Sequence, residues 1–218
     1  MRTIRDKRLT NFLLKALYIK NVNIAKSSQD LSAILEKHPK LIIAVNHGPM
    51  MGALAALIGL TDAMQQAGAE QRMPFGITWR AFYDIPVAKQ ILSFITQVDH
   101  GVGFDEATRL LQEDGFTDCV IMPEGELCNF GDGLNVLPFL SPRFIGLAIH
   151  IPILIAVHQG AETWAWPIKL NTRIKPLFRW LPAHLKDSLD YSRTISIPKL
   201  IKRKIDTLQM SFALYQPK

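Results

Sequence analysis

Apolar residues along this chain fall in blocks, and the period of each block assigns an element. Residues 10–20 place Phe12, Leu13, Leu14, Leu17 and Tyr18 on one broad face of a helix, and residues 30–37 form a second helix, with Ser28 as its cap and Pro39 closing it. Residues 41–45, Leu-Ile-Ile-Ala-Val, make an unbroken β-friendly run, the pattern of a strand buried on both faces. An Ala- and Leu-rich helix over 50–67 follows, then a strand over 73–78 and a helix over 86–94 with Pro86 in its first turn. Residues 104–113 are helical, with Asp105 and Arg109 one turn apart, and 119–122 form a short strand. A Gly- and Asn-rich loop spans 124–140, and Ser141-Pro142 opens a helix running to about residue 150. Residues 152–157 are a buried strand, and the chain then reads as irregular until a basic amphipathic helix over 198–212. Strands alternating with helices predict an α/β fold: a mixed, mainly parallel sheet flanked by helices, with an amphipathic helix near the N-terminus.

Length and composition narrow this picture. At 218 residues, nearly half of them apolar, the chain suits one domain with a substantial core, or one domain with an appendage. Two cysteines, Cys119 in an apolar run and Cys128 in a loop, make neither a disulfide framework nor a metal site, and suit a reducing compartment. No apolar run reaches the roughly 18–20 residues of a membrane-spanning helix, and no cleavable signal pattern follows the basic first eight residues.

Charge is segregated. Residues 1–40 hold nine Lys/Arg against three Asp/Glu, residues 41–168 five against thirteen, and residues 169–218 eleven against three. Basic flanks around an acidic middle suit a protein whose ends meet an anionic surface, with nucleic acid and anionic lipid as the two candidates. The helix over 10–20, apolar on one face and basic at its flank, fits a membrane interface or a packed core position equally well.

Chemistry concentrates where two buried strands stop. Asn46-His47 ends the run over 41–45, and Gly48-Pro49 forces a turn; a His there can act as a general base toward a hydroxyl or an amine. About 75 residues on, Pro123-Glu124-Gly125 ends the run over 119–122 in the same way. Parallel neighbouring strands would bring both ends to one sheet edge, where α/β enzymes keep their sites.

The blocks in order are a strand ending in Asn46-His47, a strand ending in Pro123-Glu124-Gly125, then Leu137-Pro138-Phe139, and the apolar Ile151-Pro152-Ile153-Leu154-Ile155. Over residues 40–160 this resembles the glycerolipid acyltransferases typified by 1-acyl-glycerol-3-phosphate acyltransferase. The resemblance implies a glycerol-3-phosphate acyltransferase-like α/β domain over 41–218, preceded by a basic helical element over 1–40 that meets the membrane interface. It implies His47 as the base that deprotonates an acceptor hydroxyl for attack on the thioester of acyl-CoA or acyl-carrier protein, with no covalent acyl-enzyme and no cofactor. It makes Glu124, with the turn at Gly125, the group that binds or orients the acceptor. Asn46, Pro123, Gly125, Glu126, His100 and Arg143 become substrate-binding candidates, Arg143 toward a CoA phosphate. The partners implied are an acyl donor, a lipid-like acceptor and an anionic membrane rather than nucleic acid, with the protein peripheral on the cytoplasmic face.

The chain departs from the family pattern in three places. The fifth residue after His47 is Gly52, where the family has the Asp that orients the base; Asp84 or a backbone carbonyl is left as a substitute. Glu126-Leu127 stands where the family has Thr-Arg, and His100 where it has a second-motif Arg. Without those cations, and within an acidic middle, the expected acceptor is neutral or cationic rather than glycerol 3-phosphate. A catalytically inactive acyl-chain- or membrane-binding relative, and a thioesterase or hydrolase using His47 with a cysteine or water, are the alternative readings. His150 and His158 read as structural, and Trp164 and Trp166 as core or acyl-groove residues.

Overall fold

Leu41, Ile42, Ile43 and Val45 are fully buried, and that sets the plan of the molecule: their strand, β2 (Leu41–Val45), runs through the middle of a sheet covered on both faces. The computed structural model describes residues 1–48, 52–78, 80–125, 145–146, 151–171, 186, 189–190, 192–199 and 204–216. Around β2 the six strands lie in the order β1 (Ile19–Ile24), β8 (Ile205–Tyr215), β5 (Ile153–Gln159), β2, β4 (Asp118–Ile121), β3 (Pro74–Gly76). All neighbours pair in parallel except β5 and β8, so the sheet is mixed and mainly parallel. β6 (Ala165–Lys169) and β7 (Thr194–Pro198) pair as a separate two-stranded antiparallel sheet, in a stretch that reads as irregular in the sequence.

The helices are α1 (Arg8–Tyr18), α2 (Leu31–Lys37), α3 (Gly52–Gln66), α4 (Pro86–Thr96) and α5 (Phe104–Gln112). One core cluster packs α3 against Ile43, Val45, Leu154, Ala156, Leu208 and Met210. The other packs Ala107, Leu110 and Leu111 of α5 against Ile42, Phe75, Cys119 and Ile121. Odd and even positions of β2 thus feed opposite faces, as a strand's period of two requires. Far from the strand ends that carry the chemistry, Arg72 Nε meets both oxygens of the buried Asp118 at 2.9 and 3.1 Å, and its Nη1 donates to the Leu35 and His38 carbonyls.

Several expectations are corrected. The basic C-terminal helix over 198–212 is not formed: residues 205–215 are strand β8, held between β1 and β5. Ile205, Leu208 and Phe212 fit a helical face, but Met210 is also fully buried, and only an alternation of period two places Leu208, Met210 and Phe212 together. Ser28 does not cap α2. Asp30 does, accepting from the Ser32 and Ala33 amides at 2.9 and 3.3 Å, while the Ser28 hydroxyl accepts from the Phe212 amide. The segment before residue 40 holds more than helices, because β1 joins the main sheet beside β8. The apolar face of α1 divides: Leu14 and Tyr18 pack on the core, Tyr18 edge-on to Trp164, whereas Leu9, Phe12, Leu13 and Leu17 are exposed. The loop expected after Gly125 and the helix expected to residue 150 lie outside the described residues, save 145–146.

Candidate functional site

Because β2 and β4 are adjacent and parallel, the turns that follow them meet at one sheet edge. The Glu124 carboxylate, only 4% exposed, reaches across and accepts the backbone N–H of His47 at 2.8 Å. Gly125 takes the left-handed turn position, φ +57°, and its N–H donates to the Met122 carbonyl at 3.0 Å. Glu124 therefore anchors the main chain that carries His47, rather than its ring.

The ring is held by its own turn. Gly48, at φ +66°, directs its carbonyl back so that His47 Nδ1 lies 2.8 Å from it. A carbonyl only accepts, so Nδ1 carries the proton and Nε2 keeps the lone pair. Burial pushes the His47 pKa below the usual histidine range, opposed by the Gly48 carbonyl and the Glu124 charge. The imidazole is thus neutral near pH 7, in the tautomer a base acting through Nε2 requires. Of the two substitutes left open for the Asp that Gly52 replaces, Asp84 or a backbone carbonyl, it is a backbone carbonyl, that of Gly48, that meets the ring.

A second imidazole stands beside the first. The β2–β5 register ends with Val45 opposite Ala156, and His158 lies two residues further along β5 with its ring against Gly48, the residue after His47. Asn46 extends this ladder with its side chain: Nδ2 donates to the His158 carbonyl at 3.1 Å, and Oδ1 accepts the His158 amide at 2.7 Å. The His158 ring is buried, 4% exposed, and neither nitrogen has a hydrogen-bond partner. A Cβ on Gly48 would come within 3.0 Å of its Cε1 and 3.3 Å of its Nε2. Burial lowers the His158 pKa to about 4; the backbone at Asn46 and His47 and the Glu162 charge oppose that without forming a well-made hydrogen bond to the ring. Sequence reading passed over His158 because a histidine in an apolar block is usually packing. Its place beside the His47–Gly48 turn becomes visible only once β5 is known to neighbour β2.

The other candidates are spread more widely. Pro123 is half-buried in the turn that carries Glu124. His100 is 55% exposed and bridges Asp99 and Glu106, each at 2.7 Å; hydrogen bonds to Asp99 and then Glu106 raise its pKa, so its charge is matched by two carboxylates. Glu126, Arg143 and Cys128 lie outside the described residues. Cys119 is buried in β4, and burial pushes its thiol far above the range in which a thiolate forms. Trp164 is a core residue, and Trp166 is exposed beside Lys199. Among the described residues no group of three His, Cys, Asp or Glu is placed to hold a metal. No helix among them is long and apolar enough to cross a membrane. No protein-family model and no curated protein matches the chain.

Proposed function

We propose that the protein is an acyltransferase that moves a fatty acyl group from acyl-CoA or acyl-carrier protein to a lipid-like hydroxyl or amine. The observation that carries this reading is His47, with Nδ1–H tied to the Gly48 carbonyl, its backbone tied to Glu124, and Nε2 left as the base. His47 Nε2 takes the acceptor proton as the acceptor heteroatom attacks the thioester carbon. Collapse of the tetrahedral intermediate breaks the C–S bond, and the departing thiolate recovers the proton from His47. A thioester is already activated, so a base and close positioning suffice without a nucleophilic residue. Burial of Cys119 in β4, which pushes its thiol up, argues against Cys119 as the nucleophile of a hydrolase.

The acceptor in this reading is neutral or cationic. Gly52 and Leu127 supply no charge, and the charge of His100 is matched by Asp99 and Glu106. The exposed Leu9, Phe12, Leu13 and Leu17 on a basic N-terminal helix support a peripheral position on an anionic membrane, on its cytoplasmic face.

The test is an acceptor screen with one labelled long-chain acyl donor, presented as CoA and as carrier-protein thioester, beside His47→Ala. Transfer to neutral or amine acceptors is expected, with a loss of at least about a hundredfold in the variant at unchanged folding. No transfer to any acceptor would remove the reading, and a preference for glycerol 3-phosphate would remove its acceptor class.

A further inference from the structure

We propose that the outward face of the β6–β7 sheet, formed by Trp166, Ile168, Ile195 and Ile197, is a second lipid-contact surface that lies against an anionic bilayer. This rests on the peripheral-membrane part of the function proposed above, not on acyl transfer.

The register sets Trp166 opposite Ile197 and Ile168 opposite Ile195, so all four side chains share one face. Trp166, Ile168 and Ile197 are 57, 46 and 41% exposed, and Ile195 is half-buried. The alternate positions on β7, Thr194 and Ser196, are buried. Apolar outward and polar inward is the reverse of what a sheet with water on its outer face shows. A slip of one residue would turn it round. Main-chain bonds beyond both ends hold the register instead: the Leu170 N–H donates to the Arg193 carbonyl at 2.8 Å, and the Lys199 N–H to the Trp164 carbonyl at 2.9 Å. Apolar residues clustered on an exposed face mark a surface that meets something other than water.

Charge decides what that is. Lys169 ends β6, and Arg193 and Lys199 flank β7. Residues 163–204 hold ten Lys/Arg against two Asp/Glu. Lys199 Nζ stands 5.8 Å from the centre of the Trp166 ring and donates to the Thr163 carbonyl at 2.6 Å, so an ammonium rims the apolar face. A tryptophan beside cations suits the headgroup level of an anionic bilayer. The bilayer core offers a backbone no partners, so the strands stay at headgroup depth and only the side chains enter. The root of the sheet also adjoins α1: Trp164, just before β6, packs edge-on to Tyr18, the last residue of α1, with ring centres 5.5 Å apart.

The test is sedimentation of the full chain with vesicles of phosphatidylglycerol and phosphatidylcholine in equal parts, and of phosphatidylcholine alone. Trp166→Ser combined with Ile168→Ser and Ile197→Ser should lower binding to the anionic vesicles at least about tenfold. Lys169→Gln with Lys199→Gln should lower it about tenfold and leave binding to phosphatidylcholine unchanged. If the serine variant does not fold, Trp166→Phe carries the test. Lipid brominated near the glycerol end of its chains should quench the tryptophan fluorescence of wild type, and quench that of the Phe variant less. Wild type that binds no vesicle removes the peripheral-membrane reading and this one with it. A folded serine variant that binds as well as wild type overturns this surface alone, and loss of a dimer in that variant would give the face to a second copy of the chain. Equal quenching of wild type and Trp166→Phe overturns it as well.

Discussion

Two histidines at one sheet edge have been brought to neutrality by burial, and they differ in what steadies them. His47 Nδ1 has the Gly48 carbonyl, whereas His158 has no partner, and its pKa falls from the ordinary 6.5 to about 4. Stability should register this directly. Between pH 6.5 and 4 the unfolded chain binds a proton at His158 that the folded chain refuses, so wild-type stability falls as pH drops through that window. The total is about 3 kcal/mol, at 1.36 kcal/mol per unit. Urea unfolding of wild type and His158→Leu at pH 7, 5.5 and 4 should show the gap moving in favour of the variant by that amount. A gap that does not change with pH would mean that water solvates the ring in the folded protein. At this scale the sequence made His47 and Glu124 legible, because a polar residue directly after a buried run has few places to go. It did not disclose the place of His158, which depends on which strand lies alongside.

Elements were legible where one period dominates. Strand β2 and helices α3 and α4 carry dense apolar blocks and α5 one apolar face, and each forms within a few residues of its expected span. Strand β1 was invisible because only Ile19 and Val22 are buried, a spacing of three that matches no strand template. Strand β8 was misread because Ile205, Leu208 and Phe212 satisfy a helix as well, and Met210 is the residue that decides. The joint between elements that matters most is Arg72, which ties the start of β4, through Asp118, to the last turn of α2, through the Leu35 and His38 carbonyls. Arg72→Met leaves the Asp118 carboxylate buried without its cation, with the Thr117 hydroxyl still donating to it at 2.7 Å, so it should cost about 3–5 kcal/mol in urea unfolding near neutral pH. A loss under about 1 kcal/mol would mean that the pair is solvated.

Across the whole molecule, seven of the exposed large apolar residues lie on two helices, α1 and α4. Leu9, Phe12, Leu13 and Leu17 of α1 are joined on α4 by Val87, Ile91 and Phe94. The segment leading into α1 reaches α4, with Arg2 over the Phe94 ring at 4.6 Å and Lys7 Nζ donating to the Ile95 carbonyl at 2.9 Å. If this surface meets the membrane as proposed, binding to phosphatidylglycerol vesicles should weaken with salt and fall at least about tenfold when Phe12, Leu13 and Leu17 become Ser. Unchanged binding under both would clear this face of that role. The position of β8 has a different consequence, one of timing. Ile19 pairs with Ile205, so the N-terminal strand has no neighbour until a segment made some 185 residues later arrives, and β5 keeps one edge open for the same interval. Such long-range closure is slow and leaves unpaired strand edges while it waits. A chain lacking residues 205–216 should therefore lose two strand pairings at once and aggregate rather than fold short, a result that sedimentation of the expressed truncation would show directly.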